Sequence, residues 1–165
     1  MIRSTRLVVL AFVLGIAASG PARADALGTG RAAFARNDYG TAARVLLPLA
    51  ERGNARAQAM VGFMYATGQG LPQAYDAAGY WYRLAAEQGD TTAQYLLGLA
   101  YDKGQGVPQD DVAAYKWLNL AAANSPKRTR ENFAKLRNAV ASKMSRRQIA
   151  AGQWHALRWA EDSPF

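Results

Sequence analysis

Residues 57–122 are one module written twice, at a spacing of thirty-six residues and without a gap. Ala57-Gln58, Gly62, Tyr65, Gly68-Gln69-Gly70, Pro72-Gln73, Ala77-Ala78, Trp81 and Leu84-Ala85-Ala86 make up the first copy. They recur as Ala93-Gln94, Gly98, Tyr101, Gly104-Gln105-Gly106, Pro108-Gln109, Ala113-Ala114, Trp117 and Leu120-Ala121-Ala122. A fixed period of this size marks a stacked array in which each unit buries its apolar face only against its neighbours. The repeat therefore speaks about architecture first and about chemistry second.

Each copy reads as two helices joined by a turn. Asn54 and Asp90 stand where an N-cap is needed, and Ala57, Val61, Gly62 and Tyr65 follow at helical spacing. Gly68 and Gly70 end the first helix, and Pro72 cannot continue it. The second helix turns Ala78, Trp81 and Ala85 inward. This predicts helices over 55–67 and 75–88 in one unit and 91–103 and 111–124 in the next. Tyr39, Ala42, Ala50, Gly53 and Asn54 sit thirty-six residues before Tyr75, Ala78, Ala86, Gly89 and Asp90, so an abbreviated unit precedes them, with helices over 27–36 and 39–52.

After Pro126 the repeat stops and the helical signal continues. Phe133, Leu136, Val140 and Met144 form a stripe on a helix over 127–143. Ser145 and Gln148 fit a capping box that opens a last helix over 146–161. On it Ala150, Trp154 and Leu157 share the face expected to pack inward, and Arg147, His155 and Arg158 lie opposite. Two such helices would close the open end of the stack.

Residues 1–24 read as an export signal: Arg3 and Arg6, an apolar run over 7–18, then the small-x-small site Ala22-Arg23-Ala24. The chain expected after cleavage begins at Asp25, within a periplasm or, alternatively, as a secreted protein. The sequence holds no cysteine, which excludes disulfides, thiol catalysis and thiolate metal sites. Residues 25–125 carry eight basic and nine acidic side chains, whereas 126–165 carry nine basic and three acidic. The organisation is thus a leader over 1–24, a repeat array over 25–125 (partial unit 27–54, full units 55–90 and 91–125) and a basic helical tail over 126–165.

The unit A-Q-x3-G-x2-Y-x2-G-Q-G-x-P-Q-x3-A-A-x2-W-x2-L-A-A resembles the Sel-one-like repeat, a longer-looped relative of the tetratricopeptide repeat. The resemblance implies an all-α, right-handed solenoid that acts as an adaptor and holds a peptide or protein against a face lined by the first helix of each unit. Carrying the tetratricopeptide groove positions over through Gly62 and Gly98 implies Arg56, Ala59, Phe63, Ala66 and Thr67 in one unit. In the other it implies Thr92, Tyr95, Leu99, Asp102 and Lys103. Tyr95 and Phe63 would be the apolar anchors, with Gln58 and Gln94 as amide donors if exposed and Arg56 and Lys103 steering an acidic partner. A cysteine-rich branch of the family is credited with opening lactam rings, and this chain has none of its cysteines.

Several constellations look catalytic until their context is weighed. Gly68-Gln-Gly-Leu-Pro and Gly104-Gln-Gly-Val-Pro lack the Lys-Ser/Thr of a phosphate loop, and their recurrence marks an interhelix turn. His155 is the lone histidine, without the convergent ligands of a metal site or the third group of a nucleophile–base pair. Asp110-Asp111 stand at a helix start, where carboxylates favour the positive end. The reading is a non-enzymatic, cofactor-free, exported scaffold with a protein or peptide partner and no nucleic acid. The alternative is a peripheral envelope protein whose basic tail, through Arg146, Arg147 and Arg158, meets anionic lipid or cell-wall polymer.

Overall fold

Asn54 and Asp90 do cap helices: their side-chain oxygens accept the backbone N–H groups of Ala57 (2.9 Å) and Ala93 (2.8 Å). Asp38 does the same for Thr41, and Asp110 accepts from both Val112 and Ala113. Gly68 and Gly104 end the corresponding helices in the left-handed region, at φ of 73° and 64°. The computed structural model describes residues 21–163. Among them run α1 (Pro21–Ala35), α2 (Tyr39–Glu51), α3 (Ala55–Thr67), α4 (Tyr75–Glu87), α5 (Thr91–Lys103), α6 (Asp111–Asn124), α7 (Lys127–Ala141) and α8 (Arg146–Asp162), with no strand. The four helices of the full units begin on the residues expected and end within one residue of them. α1 starts at Pro21 rather than 27, so the last four residues of the expected leader form its first turn. Residues 1–20, which carry the rest of that leader, lie outside the described residues.

Small residues set the spacing of the stack. α3 packs on α4, α5 on α6 and α1 on α2, and each second helix packs on the first helix of the next unit. A Cβ on Gly62 would fall 2.7 Å from the Tyr82 ring, and one on Gly98 the same distance from Leu118 Cγ. Gly30 stands in the same relation to Leu46 at 2.6 Å, which marks α1 as the first helix of the abbreviated unit. The turn glycines do a second job. A Cβ on Gly106 would come within 1.8 Å of the Tyr75 carbonyl oxygen, and one on Gly70 within 2.3 Å of that of Tyr39. Each turn thus rests on the first turn of the preceding unit's second helix, at a closeness only glycine permits.

The core is strung along the array as three clusters of buried residues rather than gathered at one centre. Leu46, Met64, Leu97 and Leu118 are fully buried within it. Truncating any one to alanine should cost about 2–5 kcal/mol. Two glutamines also belong to this core. Gln58 and Gln94 are 3 % and 0 % exposed, and each donates its side-chain N–H to the end of the preceding helix, at Ala50 O (3.0 Å) and Ala86 O (3.3 Å). They tie one unit to the next and offer nothing to a partner.

α7 continues the array as a further first helix, packing on α6 with Val140 buried and Phe133, Leu136 and Met144 half-buried, the face its stripe predicts. The Ser145–Gln148 capping box is present. α8 departs from expectation. It barely touches α7 and returns across α6 instead. The contact is made by its small face: Gly152, whose Cβ would meet the Tyr115 ring at 2.8 Å, and buried Ala156. Trp159 sets its edge against Trp117, with ring centroids 5.9 Å apart. Close approach to the Tyr115 ring selects the side of the helix that carries Gly152 and Ala156. Ala150, Trp154 and Leu157, expected inward, therefore face out together with Arg147 and Arg158.

Candidate functional site

The first helices of successive units, α1, α3, α5 and α7, form a row stitched side chain to side chain. Phe34 meets Phe63 edge-on at 5.9 Å, Arg56 donates to Thr92 Oγ1 at 2.9 Å, and Tyr95 stacks on Phe133 at 4.5 Å. The candidate residues read from the resemblance all lie on α3 and α5, and this row sorts them into two groups.

In the second unit the row covers Tyr95 and engages Asp102, while Thr92 and Lys103 stay at the edge of the opening beside Phe63. Tyr95 is half-buried beneath Phe133. Leu99 and Asp102 line a cavity of about 150 Å³ whose other walls are Leu118, Leu136, Val140 and Lys143. The Lys143 ammonium hydrogen-bonds the Asp102 carboxylate and lies 3.4 Å from that of Asp111. The Asp102 hydrogen bond is the main cause holding the Lys143 pKa above its ordinary value. Tyr95, expected as an apolar anchor, is already occupied by α7.

In the first unit the row leaves an opening. Ala59 is buried in the core at 3 % exposure and serves as floor only. Arg56 is spent on Thr92 and on Asp90 at 3.3 Å, so both side chains are held at the rim. The Thr67 hydroxyl donates to its own helix at Phe63 O. Phe63 remains 36 % exposed. It lines a groove of about 220 Å³ with Phe34, Arg56, Ala59, Met60, Thr92 and Leu96. It also lines a neighbouring cavity of about 310 Å³ that ends at Lys103 and Gln105 and shares Leu96 with the first. Phe63 thus stands between two hollows, with an exposed lysine at one end.

Three lining residues escaped sequence reasoning: Phe34, Met60 and Leu96. Met60 and Leu96 hold the same position of the two units, thirty-six apart, and both are large and apolar. Their likeness of character, rather than identity, was the available signal. Phe34 belongs to the abbreviated unit, where the shorter turn shifts the register.

A second cleft of about 360 Å³ lies between α4, α6 and α8, lined in part by Arg83, Glu87, Asp110, Lys116, Trp117 and His155. Burial lowers the Lys116 pKa, against the opposing pull of Glu87. Its cations and carboxylates balance, which selects for no single ionic ligand. His155 itself is exposed, edge-on to Trp154. Arg146, Arg147 and Arg158 are all exposed, and Arg158 lies over the Trp154 ring at 5.4 Å.

Paired helices stacked unit on unit, with an apolar groove between their first helices, define an α-solenoid scaffold. Residues 55–90 and 91–126 each match the Sel1 repeat family model. The chain thus carries two Sel1 repeats. It is similar to a protective antigen of uropathogenic Escherichia coli strains that displays an SLR fold, at 26 % identity and a TM-score of 0.78 over 86 % of this chain. It is also similar to a Sel1 repeat protein from Oxalobacter formigenes, at 33 % identity and a TM-score of 0.60 over 67 % of this chain. The chain spans 30 % of the first and 45 % of the second. No curated protein matches it by sequence. Sel1 repeats generally mediate protein–protein interaction, and proteins built from them are typically non-catalytic scaffolds.

Proposed function

We propose that this protein is an exported scaffold that holds a segment of a partner protein against the Phe63 groove. The observation that carries the reading is the groove itself, whose lining is almost wholly apolar and whose rim bears Arg56 at one side and Lys103 beyond Phe63. A large exposed aromatic between two hollows is the usual form of an anchor point. The matching ligand is a short segment with an aliphatic or aromatic side chain for the 220 Å³ hollow and an acidic residue within reach of Lys103. Two and a half units offer a short face, suited to a short segment rather than a long wrapped one.

Export rests on the leader pattern over 1–24 and places the interaction in the periplasm. A photoreactive residue introduced at Phe63, with comparison positions at Tyr95 and Arg147, tests the reading in cells. A discrete protein captured from Phe63, absent from Tyr95 because Phe133 covers it, is the expected result. With the photoreactive residue moved to Lys103, Phe63→Asp should lose that capture by about tenfold or more while the helical circular dichroism stays as in the wild type. Capture from Arg147 alone would refute the groove.

A further inference from the structure

α8 buries Gly152 and Ala156, packs Ile149 and Trp159 at the edges of that contact, and leaves Trp154 and Leu157 exposed. Trp154 is 54 % exposed and Leu157 64 %, and with Ala150 they fall at i, i+4 and i+7, one stripe along the outer face. Nothing in the described chain covers that stripe: α8 packs through Gly152, Ala156 and Trp159, and α7 stands away from it. The flanks of the stripe are cationic. At 100° per residue, Arg147 and Arg158 border Trp154 on one side and Arg146 lies beyond Leu157 on the other. Residues 126–165 as a whole carry nine basic and three acidic side chains, most of the basic ones on α7 and α8.

We infer that the outer face of α8 is an interfacial site that docks on an anionic lipid bilayer, seating Trp154 and Leu157 among the headgroups with Arg146, Arg147 and Arg158 on lipid phosphates. The choice of occupant follows from charge. A second copy of the chain would bring two basic faces together, which repel. A neutral apolar partner would leave the arginine rim without counter-charges. A bilayer with anionic headgroups supplies both halves at once, because tryptophan favours the water–hydrocarbon boundary and arginine the phosphates. Arg158 stacked over Trp154 already joins the two functions in one surface. Glu161 and Asp162 limit the face at its C-terminal end, where Asp162 lies 3.8 Å from Arg158. The inference is independent of the groove reading, since it shares no residue with it.

The test uses the full chain, exported and purified, with two kinds of vesicle: phosphatidylglycerol mixed equally with phosphatidylethanolamine, and phosphatidylcholine alone. Lipids brominated near the headgroup end of the chain report depth. Binding to the anionic vesicles with quenching of the share of tryptophan fluorescence that Trp154→Phe removes, and none to phosphatidylcholine, is expected. Trp154→Ala with Leu157→Ala should weaken binding about tenfold. Arg147→Gln and Arg158→Gln should each weaken it about fivefold and flatten its salt dependence. These four side chains are exposed, so the helical circular dichroism and melting temperature should stay as in the wild type. Binding that the Trp154/Leu157 pair does not affect, or that leaves Trp154 unquenched, would overturn the site. So would failure to bind anionic vesicles, and so would a preference for a soluble acidic peptide over them. Phe63→Asp should leave vesicle binding unchanged, which separates this site from the groove.

Discussion

Gln58 and Gln94 hold the same position in the two units, yet only one is fully satisfied. Gln58 Oε1 accepts from Gln88 at 2.7 Å, whereas Gln94 Oε1 is buried without a hydrogen-bond partner. Thirty-six residues after Gln88 stands Asn124, one methylene shorter. A buried acceptor left unpaired costs about 1–3 kcal/mol. Asn124→Gln should restore the missing donor and raise stability by about 1 kcal/mol, read as a higher melting temperature. In a Gln94→Leu background the same change should do nothing, since the acceptor is gone. A gain in both backgrounds would show that the effect lies elsewhere.

At the scale of elements, α7 is held to α5 by one stacked aromatic pair and one ionic cluster. Lys143 reaches Asp102 and Asp111 from the end of α7, and its pKa is raised above the ordinary 10.5, first by the Asp102 hydrogen bond. A raised folded-state value means the contact favours the protonated amine. Its stabilisation is fully present below pH 10.5 and fades as the pH climbs through the raised value. Amide hydrogen exchange of α7 should therefore accelerate relative to α3 as the pH rises past 10.5, once intrinsic rates are divided out. Asp102→Asn should shrink that step and shift it downward. An α7 whose relative protection ignores pH would refute the latch.

For the molecule as a whole, contacts run from neighbour to neighbour, so stability is a sum of local interfaces. α6 is the exception, since α5, α7 and α8 all pack on it. Without α8 its buried Tyr115 and Trp117 would be laid open to water. Each fully exposed large apolar side chain forfeits about 1.5–3 kcal/mol. A chain ending at Ser125 should accordingly lose its cooperative thermal transition and its solubility. Soluble, cooperatively melting protein from that truncation would mean the array stands without α7 and α8.

What the sequence alone could determine is what depends on residues close in the chain or copied at a fixed period. Asn54, Asp90 and Ser145 cap helices because each needs only an amide two or three residues on. The thirty-six-residue repeat set the four helices of the full units, their ends and the alternation of first and second helices. The resemblance supplied the face on which the groove should lie and four residues of its lining, Arg56, Ala59, Phe63 and Thr92. The tertiary structure decided which candidates stayed free. Tyr95 and Phe63 were both expected as anchors, but α7 stacks over one, whereas α1 meets the other only edge-on through Phe34 and leaves it 36 % exposed. The orientation of α8 was decided in the same way. Hydrophobic periodicity assigns Trp154 and Leu157 to the inside, whereas the Tyr115 ring admits only the side of α8 that carries Gly152, which also brings Trp159 onto Trp117. A helix turns inward the face that fits its neighbour, and the shape of that neighbour is not written within the helix.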